Sequence, residues 1–340
     1  MILRYLITSQ TDPYGNLALE ELLLERTQPG EVTLLLWQNH NTVVIGRNQN
    51  VWRECRVGRL EQDGGFLARR RSGGGAVYHD LGNLNFSFIA RDADYNPARQ
   101  FEVIIDAMGN LGIAATMCGR NDLLVDGRKF SGNAFLHTGG RNCHHGTILI
   151  DTDKLKMERY LNVSPDKLNY NGVPSIKARV ANLCEFLPAL TVDKVRRALV
   201  DSFAGIYGGV PQKFDLTELP SSRFAVSRER FASRDWCFGK SIPFTRTLIH
   251  RFDWGEIELH LQVTEGRVQS ANAFSDALTI EPIEVLPNVI EGIPFSSEPM
   301  LNALSQIPQP NGQTRRIVAD IRSLILSDLN KYITNGAAAL

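Results

Sequence analysis

The sequence predicts an α+β protein in two parts, a large unit over residues 1–245 and a small one over 249–340. Three observations carry this reading. Amphipathic helical segments are interspersed with short apolar strands that turn back on themselves. The composition changes near residues 233–248, where SRDWCFGKSIPFTRTL is irregular and aromatic. Finally, 340 residues with 43% hydrophobic content are enough for two cores.

In chain order, Asp12 and Pro13 open a helix, and NLALEELLLER carries Leu17, Glu20, Glu21 and Leu24 in an amphipathic pattern. EVTLLLWQ and NTVVIGR read as strands, with His40 and Asn41 as a hairpin turn between them. In LNFSFIA, Leu84, Phe86, Phe88 and Ala90 alternate with Asn85, Ser87 and Ile89, which marks a strand with one apolar face. The run RRRSGGGAVYHDLGN, residues 69–83, lies between that strand and GFLARR, so its glycines join two strands. A helix near 98–110 leads to a short strand at 112–116. Asp126 and Gly127 form the strongest short-range hairpin signal in the chain and place Lys129 at the start of the return strand. GTILID is a further strand, and TVDKVRRALVDSFAGIYG opens on a Thr cap and closes on Gly as a helix does. Beyond the boundary, EIELHLQV, the turn EG and RVQSANAF make a hairpin, followed by helical segments with Pro-rich breaks such as IPQPNG.

Lys plus Arg and Asp plus Glu both count 37, so no global field draws the chain to nucleic acid or an anionic membrane, and any anion site must be local. The five cysteines are odd in number, scattered and without a CxxC pair, which argues against a disulfide framework or structural zinc and fits a reducing cytoplasm. No stretch approaches the ~20 apolar residues that span a bilayer, and the N-terminus lacks a basic segment followed by an apolar core. The expectation is a soluble cytoplasmic protein.

Three segments share one character: RRRSGGGAVYHD, GRNDLLVDGRKFSGNAF and HHGTILI each offer a Gly-bordered strand end with charged or hydrogen-bonding groups. The first reads either as a flexible basic loop or as an anion site, in which bare backbone lets a ligand reach main-chain N–H groups beside Arg. Lys129 reads as an ordinary surface lysine or as a mobile point charge at a pocket mouth. Of His144 and His145, which point to opposite faces of a strand, one donates to a ligand and the other is structural; no carboxylate or Cys stands at ligand spacing for a metal. His79 is open to both readings. Cys143 is a nucleophile or a plain small residue, with nothing local to depress its pKa. FGKS at 238–241 imitates a Walker A ending, but Arg234 stands where that motif needs Gly, and GGGAVYHDLG lacks the Rossmann glycine spacing.

Taken together, these segments resemble the lipoate-protein ligase A family of the biotin/lipoate protein ligase superfamily. RRRSGGGAVYHDLGN is similar to the family's RRxSGGGAVxHDxGN, GRNDLLVDGRKFSGNAF to its GRNDL…RKxSGxA block, and HHGTILI to HHGTLL. Agreement continues through DPYGNLALEE, LWQNHNTVVIGRNQNVWREC and RVANLCEFLP, and more weakly through FDWGEIELHLQVTEGRVQSANAFSD. The resemblance implies mixed sheets with flanking helices in a large catalytic domain, and a small C-terminal α+β domain. It implies activation of lipoic acid with ATP to lipoyl-AMP and pyrophosphate, then transfer of the lipoyl group to a lysine of an acceptor lipoyl domain, either a 2-oxoacid dehydrogenase E2 subunit or the glycine cleavage H protein.

Carried over by position, Arg70 and the segment Ser72, Gly73, Gly74, Gly75, Ala76, Val77 and Tyr78 are expected on the adenylate. Lys129 is expected on both the lipoyl carbonyl and the phosphate, as the catalytic residue. Trp37, His79 and His145 are expected on the lipoyl group with Arg70 and Lys129. Mg²⁺ is expected for the triphosphate, with Asn121 or Asp122 as the nearest helpers on the nucleotide and the metal ligands left open, Asp122 being the one candidate. Trp37, Val43, Val44 and Ile45 are candidates for an apolar tunnel, although a strand core explains them equally. Arg71 departs from relatives that carry Ser there. No cysteine is needed, unlike in the superfamily's cysteine-dependent amidotransferases. The small domain is expected to act as a lid hinged at SRDWCFGKSIPFT. A transferase using preformed lipoyl-AMP and a non-catalytic lipoate or nucleotide binder are the alternatives.

Overall fold

The computed structural model describes residues 1–119, 121–162, 180–239 and 241–336, in two compact units. The first comprises Met1–Ile45, Val51–Arg70 and Ala76–Cys237; the second comprises Gly46–Asn50, Arg71–Gly75 and Phe238–Leu340.

The first unit begins β1 (Ile2–Ile7), α1 (Pro13–Arg26), β2 (Glu31–Trp37), β3 (Thr42–Ile45), α2 (Val51–Glu54), α3 (Val57–Gln62), β4 (Phe66–Arg69), β5 (Val77–His79) and β6 (Asn83–Arg91). It continues α4 (Pro97–Asn110), β7 (Ala115–Cys118), β8 (Asp122–Val125), β9 (Arg128–Thr138), β10 (Arg141–Leu149), α5 (Lys154–Tyr160), α6 (Val192–Tyr207), β11 (Gln212–Lys213), α7 (Ser221–Ala232) and α8 (Arg234–Phe238). An eight-stranded sheet has the order β11-β1-β2-β6-β10-β9-β8-β7; β1 runs parallel to β2 and β11, and the other neighbours are antiparallel. Its β6 residues Leu84, Phe86, Phe88 and Ala90 share a core with Phe101, Ile104 and Met108 of α4 and Leu199 and Phe203 of α6. The alternate residue Ser87 meets Glu20 of α1 instead. Both faces are thus covered by helices, which is why nearly every residue of β6 is buried.

The local signals explain most of these elements. Asp12 caps α1 by accepting from Tyr14 N and Gly15 N, with Pro13 in the first turn. Asp126 (φ 49°) and Gly127 (φ 71°) make the left-handed pair that closes the β8–β9 hairpin. Thr191 caps α6, and Gly208 ends it in the left-handed conformation.

Three expectations need correction. His40 and Asn41 do not close a hairpin: β2 lies in the large sheet, whereas β3 is the centre of a separate sheet, β4-β3-β5, parallel to β4 and antiparallel to β5. Both segments are buried throughout, so each is an interior strand flanked on two sides rather than half of a one-faced ribbon. The strand expected at 112–116 sits at Ala115–Cys118, and GTILID is only the end of a strand that starts at Arg141. The start of the irregular stretch is helical, α8, and is tied to β4: Trp236 Nε1 donates to Arg69 O at 2.8 Å, and Arg69 Nε to Trp236 O at 3.0 Å. In α1, Glu20 and Glu21 are both buried at 6% exposure, Glu21 paired with Arg230 at 2.6 Å.

The second unit is an antiparallel meander of β12 (Arg246–Phe252), β13 (Gly255–Thr264) and β14 (Arg267–Ser275), followed by α9 (Glu281–Ile290), α10 (Ser297–Leu304) and α11 (Gly312–Gly336). Trp254, Ile257, Leu259 and Leu261 pack with Ile283, Leu286, Ile317 and Ile321. Glu265 and Gly266, both at positive φ, form the predicted turn. The loops 46–50 and 71–75 belong here through Ser275 N to Asn48 O (2.8 Å), Arg47 to Glu284 (2.6 Å) and Gly74 N to Ala277 O (3.0 Å). Among the described residues, no helix is long and apolar enough to cross a membrane.

Candidate active site

In the first unit, four of the expected lipoyl-binding residues converge on Glu20, to which the sequence had assigned no role. Glu20 projects from α1 onto the face of the sheet carrying Ser87 and His145, and its Oε1 takes the Ser87 hydroxyl at 2.5 Å and His145 Nδ1 at 2.8 Å. Trp37 Nε1 donates to Ser87 Oγ at 3.1 Å, so the indole, the hydroxyl, the carboxylate and the imidazole form one buried chain. Burial alone would raise the Glu20 pKa; the charge and hydrogen bond of His145, with bonds from Ser87 and Cys143, outweigh it and hold the carboxyl below its ordinary value. Arg70 is buried at 7% exposure, and burial pulls its guanidinium down to about 10 against the opposing attraction of Glu20. The acid pair in an otherwise leucine-rich helix, LALEELLLER, was the available signal.

His79 packs edge-on against Trp37 with ring centroids 6.0 Å apart. Asn39 Oδ1 accepts from Asn16 Nδ2 at 2.9 Å, which leaves the Asn39 amino group to donate to His79 Nδ1 at 3.2 Å. The His79 proton therefore sits on Nε2, a buried atom with no hydrogen-bond partner among the described residues. Burial, then the charges of Arg70 and His145, push its pKa down to about 3, so at neutral pH it is an uncharged donor. Val43, Val44 and Ile45 are at most 1% exposed in β3.

Lys129 and Asp122 form a second constellation on the β8–β9 hairpin. Gly132 stands opposite Asp122 and Ser131 opposite Leu123, but the register then slips, so that Lys129 rather than Phe130 stands opposite Leu124. Side chains alternate along a strand, so regular pairing would put Lys129 on the buried face of Val125. The bulge moves it to the half-exposed face of Asp122, where Nζ meets Oδ1 at 2.6 Å. A Cβ on Gly132 would lie 2.8 Å from Lys129 Nζ, so glycine there makes room for the ammonium. Asn121 turns inward: its Nδ2 donates to Asn133 O at 2.7 Å.

The glycine run divides. Ala76, Val77 and Tyr78 belong to the first unit, where β5 is an edge strand whose outer main-chain groups are not used by its sheet. The Tyr78 ring is core, packed on Tyr160 with its hydroxyl donating to Asn41 Oδ1 at 2.9 Å, so only its main chain is available to a ligand. Ser72, Gly73, Gly74 and Gly75 belong to the second unit. Ser72 O accepts from Arg47 N at 2.9 Å. A Cβ on Gly73 would come within 2.2 Å of Ala277 O, whereas one on Gly75 would meet nothing within 4 Å. Bare backbone at Gly73 thus serves close packing on the 277–278 main chain, and open space remains at Gly75.

All five cysteines are free, and Cys143 is buried. The fold does bring a carboxylate and a thiol to His145, since the ligand atoms of Glu20, Cys143 and His145 lie within 4.8 Å of one another. That buried set already bonds within itself, and its thiol and imidazole are poor partners for a hard cation such as Mg²⁺. Asp122, a half-exposed carboxylate, fits Mg²⁺ by donor type.

Comparison with known proteins gives the family. The lipoyl protein ligase A/B catalytic domain matches residues 12–204, and the bacterial lipoate protein ligase C-terminus matches 241–325. The chain is 37% identical over 337 residues to the lipoate-protein ligase A of Psychrobacter cryohalolentis, covering 97% of this chain and 99% of that protein. It is similar to the crystal structure of P. falciparum LipL1 in complex with lipoate, with a TM-score of 0.83 and 31% identity over 95% of this chain and 99% of that one. A lipoate-protein ligase A crystallised with ATP aligns with a TM-score of 0.62 and 26% identity, covering 70% of this chain and 99% of that one. With a catalytic-domain match over more than half its length and a relative spanning nearly all of it, the chain belongs to the lipoate-protein ligase family.

Proposed function

We propose that the chain activates lipoic acid with ATP to lipoyl-AMP and transfers the lipoyl group to the acceptor lysine of E2 lipoyl domains and the glycine cleavage H protein. The observation that carries the reading is the convergence of Trp37, Arg70, His79 and His145 on buried Glu20, with one unused N–H on His79, in a chain so similar to lipoate ligases. Arg70 offers a desolvated positive charge for an anion, and the edge backbone of Ala76 to Tyr78 offers N–H donors to the adenylate. Lys129 leaves Asp122 to stabilise charge first on the α-phosphate and then on the acyl carbonyl oxygen, so one ammonium serves both half-reactions. Mg²⁺, held by Asp122, would neutralise triphosphate charge when bound. No cysteine takes part.

The division of labour belongs to the same proposal: residues 1–245 carry the chemistry and 249–340 act as an accessory lid. So does a cytoplasmic location, which the free cysteines support.

The test is incubation with lipoate, ATP and Mg²⁺, reading pyrophosphate and, by mass spectrometry, the lipoylation of an apo acceptor domain. Both products are expected. Acceptor modification from lipoyl-AMP alone, without pyrophosphate from ATP, would make the chain a transferase, and neither product would leave a binding protein.

A further inference from the structure

Next to His145, but on the opposite face of β10, His144 lies at the centre of a buried polar chain that no step above uses. Its ring is surrounded by Phe86, Phe88, Phe101 and Phe135, with centroids between 4.7 and 6.0 Å away. Within that apolar cage it makes two polar contacts, Gln100 Oε1 3.0 Å from Nδ1 and Asn133 Oδ1 2.9 Å from Nε2. Asn133, only 4% exposed, then clasps Asn121 on several atoms. Its main-chain N and its Nδ2 donate to Asn121 O at 3.0 and 2.9 Å, and its carbonyl accepts from Asn121 Nδ2 at 2.7 Å. Asn121 leads directly into Asp122, the partner of Lys129.

We propose that His144 is a positioning residue that, acting through Asn133, fixes the turn carrying Asn121 and so sets the Lys129–Asp122 pair. The Asn133 end of the link fixes the ring proton. Asn133 spends its amino group on Asn121, so its Oδ1 can only accept, and His144 must carry its proton on Nε2. Burial, followed by the charge of His145, pushes the ring down to about 3, so it holds a single proton and Nδ1 is an acceptor. A ring with its proton on Nε2 then requires the Gln100 amide to be turned so that its amino group, rather than the Oε1 that stands 3.0 Å away, faces Nδ1. Gly146 is part of the same device, because a Cβ there would stand 2.7 Å from Asn133 Oδ1. An imidazole serves here as a rigid spacer with one donor and one acceptor; a phenyl ring would fill the cage and leave Asn133 unheld.

The functional half of this inference rests on the ligase reading above. In the full-length enzyme, His144→Phe keeps the ring volume and removes the link. Because His144 and His145 act on opposite faces, the expected result is a rise of about tenfold in KM for ATP, with KM for lipoate changed by less than about twofold. Hydrogen exchange at the Asn133 amide should accelerate by about tenfold or more. His144→Gln, whose amide can donate to Asn133 Oδ1, should recover much of both. Should His144→Phe not fold, Asn133→Ser, which breaks the clasp from the other side without added volume, carries the same comparison. Proportionate changes in both KM values, or unchanged Asn133 exchange in a folded variant, would overturn the proposal. If the wild type releases no pyrophosphate, the ligase reading fails, while the exchange measurement still decides whether His144 holds the turn.

Discussion

Lys129 Nζ stands 2.6 Å from Asp122 Oδ1, two side chains brought to one face of the β8–β9 hairpin by a single bulged residue, Phe130. Each is 36% exposed. A pair so open to water contributes roughly 0–1 kcal/mol, so the ammonium can exchange its carboxylate for an anionic ligand at little cost. An ion pair of this kind holds a charge ready without fixing it.

Lys129→Ala is therefore expected to fold normally, with stability changed by no more than about 1 kcal/mol. Pyrophosphate release and acceptor modification should both fall by ~10²-fold or more, the loss typical of a preorganised electrostatic group. Retention of more than about a tenth of wild-type kcat would remove Lys129 from its proposed role.

Cys143→Ala should behave in the opposite way. Cys143 is buried and bonded to Glu20, and a thiol so enclosed cannot reach an acyl group. Activity within about threefold of wild type is expected, with a modest stability cost of about 1 kcal/mol for the lost bond. An inactive but normally stable variant, with an acyl-enzyme visible by mass spectrometry, would replace direct transfer by a thioester route.

Local signals with a private mechanism were legible in the sequence. The Asp126–Gly127 turn, the Asp12 and Thr191 caps, the Gly208 stop and the Glu265–Gly266 hairpin each depend on one or two residues, and all form where expected. Features set by distant partners were not legible. Strands β2 and β3 read as a hairpin because sequence proximity cannot tell that their buried faces belong to different sheets. Glu20 was given no role because nothing in α1 announces Ser87 and His145, 67 and 125 residues away. The bulge at Phe130 hides in an ordinary strand pattern, since one slipped residue leaves composition unchanged. Similarly, HHG announces two histidines but not that one faces Glu20 and the other Gln100.

The glycine run gives a paired prediction. At Gly73 an added methyl would press on Ala277 O at 2.2 Å, so Gly73→Ala should lose about 1–3 kcal/mol of stability as the main chains are forced apart. At Gly75 a methyl meets nothing within 4 Å, so Gly75→Ala should leave the melting temperature unchanged while weakening ATP-dependent activity, if a ligand approaches that backbone. Thermal unfolding and pyrophosphate release, measured side by side, decide it. A fully active Gly75→Ala enzyme would show that the open space there is not used.

The buried histidines predict how stability depends on pH. His79 and His144 are pushed down to about 3 in the folded chain, chiefly by burial, from an ordinary value of 6.5. Between those limits the unfolded chain binds protons that the folded chain refuses, so stability is complete above about pH 6.5 and falls as the pH drops below it. At pH 5.5 each site costs about 1.4 kcal/mol relative to pH 7.5, or about 3 kcal/mol for the two. Glu20 has the lowered pKa of a paired carboxyl, and its contribution is lost only below its ordinary 4.5, outside this window. Urea unfolding at pH 7.5, 6.5 and 5.5 measures the slope, and His144→Phe removes one of the two sites, so its slope should be about half as steep. A wild-type stability that stays flat from pH 7.5 to 5.5 would mean that these imidazoles take up protons in the folded chain, and with that the single-proton assignments at His79 and His144 would fall.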